Sequence, residues 1–103
     1  MTETEWLLNK LGQECNEVAH RVSKAMEFGL DETQPGQPFS NRERIEQELI
    51  DVRAVVEMLR ERDILAAEPQ YVTGCAENEV QLKKEKVLKY LRYAREECGT
   101  VKG

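Results

Sequence analysis

The sequence predicts an all-α protein with three main helices. Apolar residues recur at steps of three and four along three segments, which is the periodicity of an amphipathic helix. Of the 103 residues, 34% are charged and only 6% are aromatic, as is typical of helices with narrow apolar stripes. Stretches containing proline and glycine separate the three segments. We therefore expect a single domain over residues 1–103, a helical bundle completed by oligomerisation.

The first helix is predicted from about Thr4 to Phe28. Thr2 or Thr4 can cap its N-terminus, and Gly29 can end it in a left-handed conformation. Its expected core-facing stripe consists of Leu7, Leu8, Leu11, Cys15, Val18, Val22, Ala25 and Met26.

Residues 29–40 are predicted to form a loop, because they contain two glycines and two prolines without periodicity. Loops of this length in compact domains are often functional. Ser40 and Glu43 fit a reciprocal capping box, which sets the start of the second helix at Ser40 or Asn41. Its stripe is Ile45, Leu49, Val52, Val56 and Leu59, and the helix is expected to fray around 66–69.

A second linker, residues 67–75, precedes a third helix predicted from about Ala76 to Cys98 and closed by Gly99. The apolar seam of this helix is flanked by six cations. Three narrow stripes bury only a modest core, so we expect a homodimer or a dimer of dimers. The seam consists of Val80, Val87, Leu91, Ala94 and Cys98, and the cations are Lys83, Lys84, Lys86, Lys89, Arg92 and Arg95.

Net charge and cysteine usage indicate which partners and which compartment to expect. The net charge of −5 argues against nucleic acid or an anionic membrane as the main partner, and no apolar run has the length of a membrane span. Cys15, Cys75 and Cys98 are odd in number and widely spaced, so they indicate reduced thiols. With an acidic N-terminus unlike a signal peptide, these features predict a cytoplasmic protein.

Two pairs of carboxylates stand out beside the apolar stripes. Glu14 and Glu17 are three residues apart on the first helix, and Glu48 and Asp51 repeat the spacing on the second. Residues at this spacing share one helix face, so four acids converge if the two stripes face each other. Oxygen-only ligands select hard cations such as Mg²⁺ or Mn²⁺. Either pair taken alone is more often a solvated helix face.

The runs LGQECNEVAHRVSKAMEFGL and NRERIEQELIDVRAVVEML resemble the all-α nucleoside triphosphate pyrophosphohydrolases of the MazG-like family, especially small phage-type or bacterial members. The family signature is E-x-x-E on one helix and E-x-x-D on the next, and the resemblance covers residues 4–62. The interval between Glu17 and Glu48 is longer than the family's usual one, and the third helix lacks the downstream Lys/Asn pattern of many members.

The resemblance implies hydrolysis of a nucleoside triphosphate to a monophosphate and pyrophosphate by a helical dimer or tetramer. Its catalytic metal ligands would be Glu14, Glu17, Glu48 and Asp51, holding Mg²⁺. Lys24, Arg21 and, less strongly, Lys10 would neutralise the phosphates. The base would lie against Trp6, Asn16 or His20, or against a partner subunit.

The same residues also allow other interpretations. His20 follows Glu17 by three residues, the Glu-x-x-His pattern of di-iron carboxylate bundles. A non-catalytic helical interaction protein on the same fold is a second alternative. Trp6 near a helix start is more often a packing residue than a stacking platform. Cys15 lies on the apolar side of its helix, which favours the core over a nucleophile.

Overall fold

A computed structural model describes residues 1–69 and 74–102. Its three helices are α1 (Glu3–Phe28), α2 (Asn41–Glu61) and α3 (Ala76–Glu96). No strand occurs in the described residues, so the all-α class is confirmed. The chain divides into two compact units, Met1–Ala66 and Ala67–Gly103, and each is considered by itself. The single domain over 1–103 stays a prediction.

Helix α1 begins and ends at caps that the sequence predicted. Thr2 is the N-cap, and its hydroxyl accepts a hydrogen bond from the backbone N–H of Glu5 at 3.1 Å. Gly29 closes the helix at φ 104°, where its N–H donates to the carbonyl of Ala25 at 2.8 Å. This conformation is open to glycine because it has no Cβ. The helix therefore occupies the predicted span within a residue.

The capping box at the start of α2 is confirmed. The backbone N–H of Glu43 donates to Ser40 Oγ at 3.2 Å, and the N–H of Ser40 donates to Glu43 Oε1 at 2.9 Å. The hydrogen bond from the Ser40 backbone, followed by the one from its side chain, lowers the pKa of Glu43. Both helix-start donors are thus satisfied within one turn.

Helix α2 ends earlier than the sequence predicted. Asp63 adopts φ 57°, and the N–H of Ile64 donates to the carbonyl of Leu59 at 2.9 Å. A left-handed residue with this bond closes a helix, and Asp tolerates the conformation better than most side chains. Ile64 then packs back against the core. The helix stops at Glu61 because this closure supplies a hydrophobic contact that an extra turn would remove.

Helices α1 and α2 form an antiparallel hairpin with a small core. Leu7, Val55 and Leu59 are buried together, and Leu11 and Ile64 pack against them. Only part of each predicted stripe is inside, since the chain by itself offers each helix just one neighbour within Met1–Ala66. Exposed members of the stripes include Cys15, contrary to its expected place in the core, together with Leu8, Val22, Met26 and Leu49.

The loop 29–40 is tied to the first turn of α2. Asn41, only 3% exposed, donates through Nδ2 to the carbonyl of Gly29 at 2.8 Å and to Glu32 Oε1 at 2.9 Å. Arg42 pairs with Asp31 at 3.0 Å, and this hydrogen bond lowers the pKa of Asp31. The loop is therefore held in one conformation by the residues that begin the next helix.

The second unit contains α3. Cys75 is its N-cap, and Gly99 follows its end at φ 65°. None of its described residues is buried, so the predicted seam of Val80, Val87 and Leu91 is solvent-accessible. The predicted linker 67–75 falls in part on residues 70–73, which lie outside the described residues, as does Gly103. No described helix combines the length and apolar character needed to cross a membrane.

Candidate metal centre

Two polar stripes run along the same side of the α1–α2 hairpin. The residues of each stripe are three or four positions apart in the sequence. Because α1 and α2 are antiparallel, the two stripes run in opposite chain directions along the groove between the helices. Such steps keep side chains on one helix face. The stripes are Glu14, Glu17, Arg21, Lys24 and Phe28 on α1, and Asn41, Arg44, Glu48 and Asp51 on α2.

Three carboxylates from the two helices meet in the middle of these stripes. Glu14, Glu48 and Asp51 each place one oxygen within 4.8 Å of the oxygens of the other two. The side chain of Glu14 is 15% exposed, Glu48 is half-buried and Asp51 is exposed. Acids this close repel one another, so the apo site carries an electrostatic cost that a cation would remove.

The fourth predicted acid, Glu17, is exposed and is not one of the three converging carboxylates. It is still close enough to act electrostatically on Glu48. Partial burial raises the pKa of Glu48, and the negative charges of Asp51, Glu17 and Glu14 raise it further, while Arg21 lowers it. All four predicted acids therefore share one electrostatic environment, although three of them have the closer geometry.

Cations border the acids on α1. Lys10 lies one turn before Glu14, with Nζ 3.7 Å from Glu14 Oε1. Arg21 lies one turn beyond Glu17, and its Nε is buried without a hydrogen-bond partner in the described part of the chain. A buried guanidinium donor of this kind favours an anionic ligand, because an unsatisfied polar group is costly.

Beyond these cations lies a cavity of about 330 Å³, bounded by the end of α1, the loop 29–40 and the start of α2. Lys24, predicted to contact phosphate, lines it, with Nζ 5.7 Å from the centroid of the Phe28 ring. The lining residues are Lys24, Phe28, Glu32, Gln34, Pro35 and Asn41.

The residues predicted to contact a base lie elsewhere. Trp6, Asn16 and His20 are exposed on α1, and none is among the described residues that line the cavity. Sequence reasoning missed Phe28 and Asn41, although both continue the stripes that carry the acids. The uncommon length of the 29–40 loop was the other available signal for this cavity.

The donor set fits a hard divalent cation. Carboxylate oxygens are the ligands that Mg²⁺ prefers, and the partial exposure of the group leaves room for the waters that Mg²⁺ retains. The converging residues within the described chain are all carboxylates, and His20 is not one of them. The oxygen-only arrangement thus differs from the mixed Glu and His set of di-iron bundles.

Comparisons with protein-family models, with curated proteins and with solved structures found no match for this chain.

Proposed function

We propose that this protein is a Mg²⁺-dependent nucleoside triphosphate pyrophosphohydrolase of the MazG-like type. The observation that carries the proposal is the convergence of Glu14, Glu48 and Asp51 from two helices to within 4.8 Å. The unpartnered Nε of Arg21 beside them supports an anionic substrate. The order of the acid pairs along the chain supports the same class.

Glu14, Glu48 and Asp51 would hold the cation, with Glu17 at the border of the group. Bound Mg²⁺ supplies charge neutralisation for a triphosphate and lowers the pKa of water. Arg21 would donate charge-assisted hydrogen bonds to phosphate oxygens, and Lys24 would contact the substrate further along the groove. Arg21 would thereby hold the phosphates close to the acids.

The reaction consumes one water. Its oxygen forms a bond to the α-phosphorus, and the bond from that phosphorus to the oxygen bridging to the β-phosphorus breaks. Pyrophosphate leaves with the bonding electron pair. Glu17, exposed and outside the three converging carboxylates, would accept the proton of the attacking water as a general base.

A homodimer is part of the proposal. Leu8, Val22, Met26 and Leu49 are exposed on the hairpin although they belong to its apolar stripes, and Met26 is 82% exposed. A second copy would bury such side chains and enlarge a core that is small for the length of the chain. Sedimentation equilibrium would test this, and a monomer at all concentrations would refute the dimer.

The test of the activity is release of pyrophosphate and nucleoside monophosphate from a panel of ribo- and deoxyribonucleoside triphosphates. We expect turnover with Mg²⁺ and none with EDTA, and loss of turnover in Glu48→Gln. The matched control is Glu46→Gln, an exposed acid on the same helix outside the converging group. A folded protein that leaves the whole panel intact would refute the proposal and favour a non-catalytic helical interaction protein.

A further inference from the structure

We propose that the cavity beneath the 29–40 loop binds the nucleoside end of the substrate and selects bases that carry an exocyclic amino group. This inference rests on the proposed function, because it assigns the second half of the same ligand. The cavity itself is an independent observation, since none of the four predicted metal ligands lines it.

The cavity lies further along the groove than the acids. Lys24 follows Glu17 by seven residues, and Asn41 precedes Glu48 by seven residues. At 1.5 Å per residue, both intervals span about 10 Å along the helix axes. The cavity is thus displaced from the acids by the same amount on both walls of the groove. This distance is on the scale of a nucleotide from its phosphates to its base, with Arg21 lying between the two sites.

An aromatic side chain forms part of the cavity wall. Phe28 is 59% exposed although it is apolar, and its ring faces a cavity of about 330 Å³ that can hold a base with its sugar. Lys24 lies near the same ring, with Nζ 5.7 Å from the centroid. Nucleic acid bases stack on aromatic side chains, and a nearby cation adds to the attraction.

Two polar side chains of the loop also line the cavity. Glu32 Oε1 accepts one hydrogen bond from Asn41 Nδ2 at 2.9 Å, and a carboxylate has about four acceptor positions. Gln34 Oε1 accepts from Arg44 Nη1 at 3.3 Å, which leaves the Gln34 amide NH₂ as a donor. An acceptor and a donor in the lining of one cavity suit a base that offers both. Adenine, guanine and cytosine offer Glu32 an exocyclic amino group with two N–H donors, whereas uracil and thymine offer it only the single ring N–H.

The loop is held in place before any ligand arrives. Asn41 joins Gly29 and Glu32 through its buried amide, and the backbone N–H groups of Asn41 and Arg42 donate to the carbonyls of Glu32 and Leu30. A binding wall that is already ordered loses little conformational entropy on binding. The capping box at Ser40 fixes the same end of α2.

The experiment compares Phe28→Ala and Glu32→Gln with two controls. Phe39→Ala removes an exposed aromatic of the same loop that is not among the described lining residues, and Glu27→Gln removes an exposed acid next to Phe28. Steady-state constants with Mg²⁺ are measured for ATP, GTP, CTP and UTP. Affinities for the four corresponding monophosphates are measured by calorimetry, which requires no turnover.

We expect Phe28→Ala to raise KM and weaken monophosphate binding about tenfold for every base, with a smaller change in kcat. Glu32→Gln should reduce the preference for amino-bearing bases over uracil by about tenfold. Both controls should stay within twofold of the wild type. Unchanged affinities and base preference in both variants would overturn the inference, as would monophosphates that do not bind the wild type.

The two proposals fail separately. One outcome is that monophosphates bind the wild type but not Phe28→Ala, while no triphosphate yields pyrophosphate. This outcome would support the cavity assignment and refute hydrolysis. If pyrophosphate release depends on metal and neither variant alters it, hydrolysis is supported and the cavity assignment is refuted.

Discussion

Replacing Glu48 by Gln should raise the stability of the metal-free protein. It should also remove most of the stabilisation that Mg²⁺ gives to the wild type. Glu48 lies within 4.8 Å of Glu14 and Asp51, oxygen to oxygen, and it is the acid whose pKa the site raises. Glutamine keeps the shape of the side chain but removes its charge. The substitution therefore removes repulsion in the metal-free protein and would remove one of the proposed metal ligands.

The size of the effect follows from the oxygen separation. Two unit charges 4.8 Å apart in water repel by about 0.9 kcal/mol. This aqueous value suits the pair with exposed Asp51, and it is a lower bound for the pair with Glu14, whose side chain is 15% exposed. The substitution removes the repulsion of Glu48 by Asp51, Glu17 and Glu14, and it also removes the attraction to Arg21. The net gain is about 1 kcal/mol in the free energy of unfolding. For a domain of this length, that raises Tm by about 4 °C.

The response to metal should have the opposite sign. A ligand at 100 times its Kd stabilises the protein that binds it by about 2.7 kcal/mol. The wild type should gain this stability when Mg²⁺ replaces EDTA, and Glu48→Gln should gain little. The variant is thus the more stable protein in EDTA and the less stable one in saturating Mg²⁺.

The advantage of the variant in EDTA should also depend on pH. The folded-state pKa of Glu48 is raised above its ordinary value of 4.5, because burial and neighbouring acids disfavour the charged form. A raised carboxyl pKa means that ionisation of Glu48 destabilises the fold. This cost is complete above the folded-state pKa and disappears as the pH falls below 4.5. The difference between wild type and variant should therefore vanish in acid.

The assay is thermal unfolding followed by circular dichroism at low ionic strength, since salt screens the repulsion. Wild type, Glu48→Gln and the control Glu46→Gln are compared in EDTA and in Mg²⁺. The control should shift by less than about 0.5 kcal/mol and should keep the metal response. The repulsion among these acids would be contradicted by a Glu48→Gln protein that melts lower than the wild type in EDTA. The metal site would be contradicted if Mg²⁺ stabilised the variant as much as the wild type.

Three other substitutions probe the site and its support. Ser40→Ala removes the hydroxyl of the capping box and should cost about 1 kcal/mol by chemical denaturation; no loss would mean that the box is dispensable. Asn41→Ala removes two hydrogen bonds from a buried amide and should cost about 2 kcal/mol, with a larger rise in KM than Ser40→Ala causes; equal KM values would separate the loop from substrate binding. Arg21→Met should raise KM for triphosphates about tenfold at unchanged helix content, and an unaltered KM would remove Arg21 from the phosphate site.

The parts of the fold that depend on local chemistry could be predicted from the sequence. The caps at Thr2, Ser40 and Gly29 follow from the hydrogen bonds and backbone conformations that these residue types favour. The convergence of Glu14 with Glu48 and Asp51 followed from helical spacing, once the two stripes were assumed to face each other. Spacing alone could not separate Glu17 from this group, because that depends on the rotation of α1 against α2.

Features that depend on the tertiary structure could not be predicted from the sequence. Periodicity marks an apolar side of a helix but not how much of it a neighbour covers, so exposed Met26 and buried Ala25 looked alike. The end of α2 depends on the left-handed conformation of Asp63. Such a conformation is usually predicted from a glycine, and no glycine stands at this position. The cavity depends on the path of the loop 29–40, and no periodic pattern describes a loop.

The closure of α2 by Asp63 and Ile64 has a consequence for how this chain can vary. Because Ile64 returns to the core of Leu7 and Leu59, the hairpin completes its own C-terminal boundary before residue 66. The acids, the cations beside them and the cavity all belong to this segment. The candidate site is therefore contained in one compact unit. Recombination after residue 66 would exchange the following sequence while leaving this groove intact.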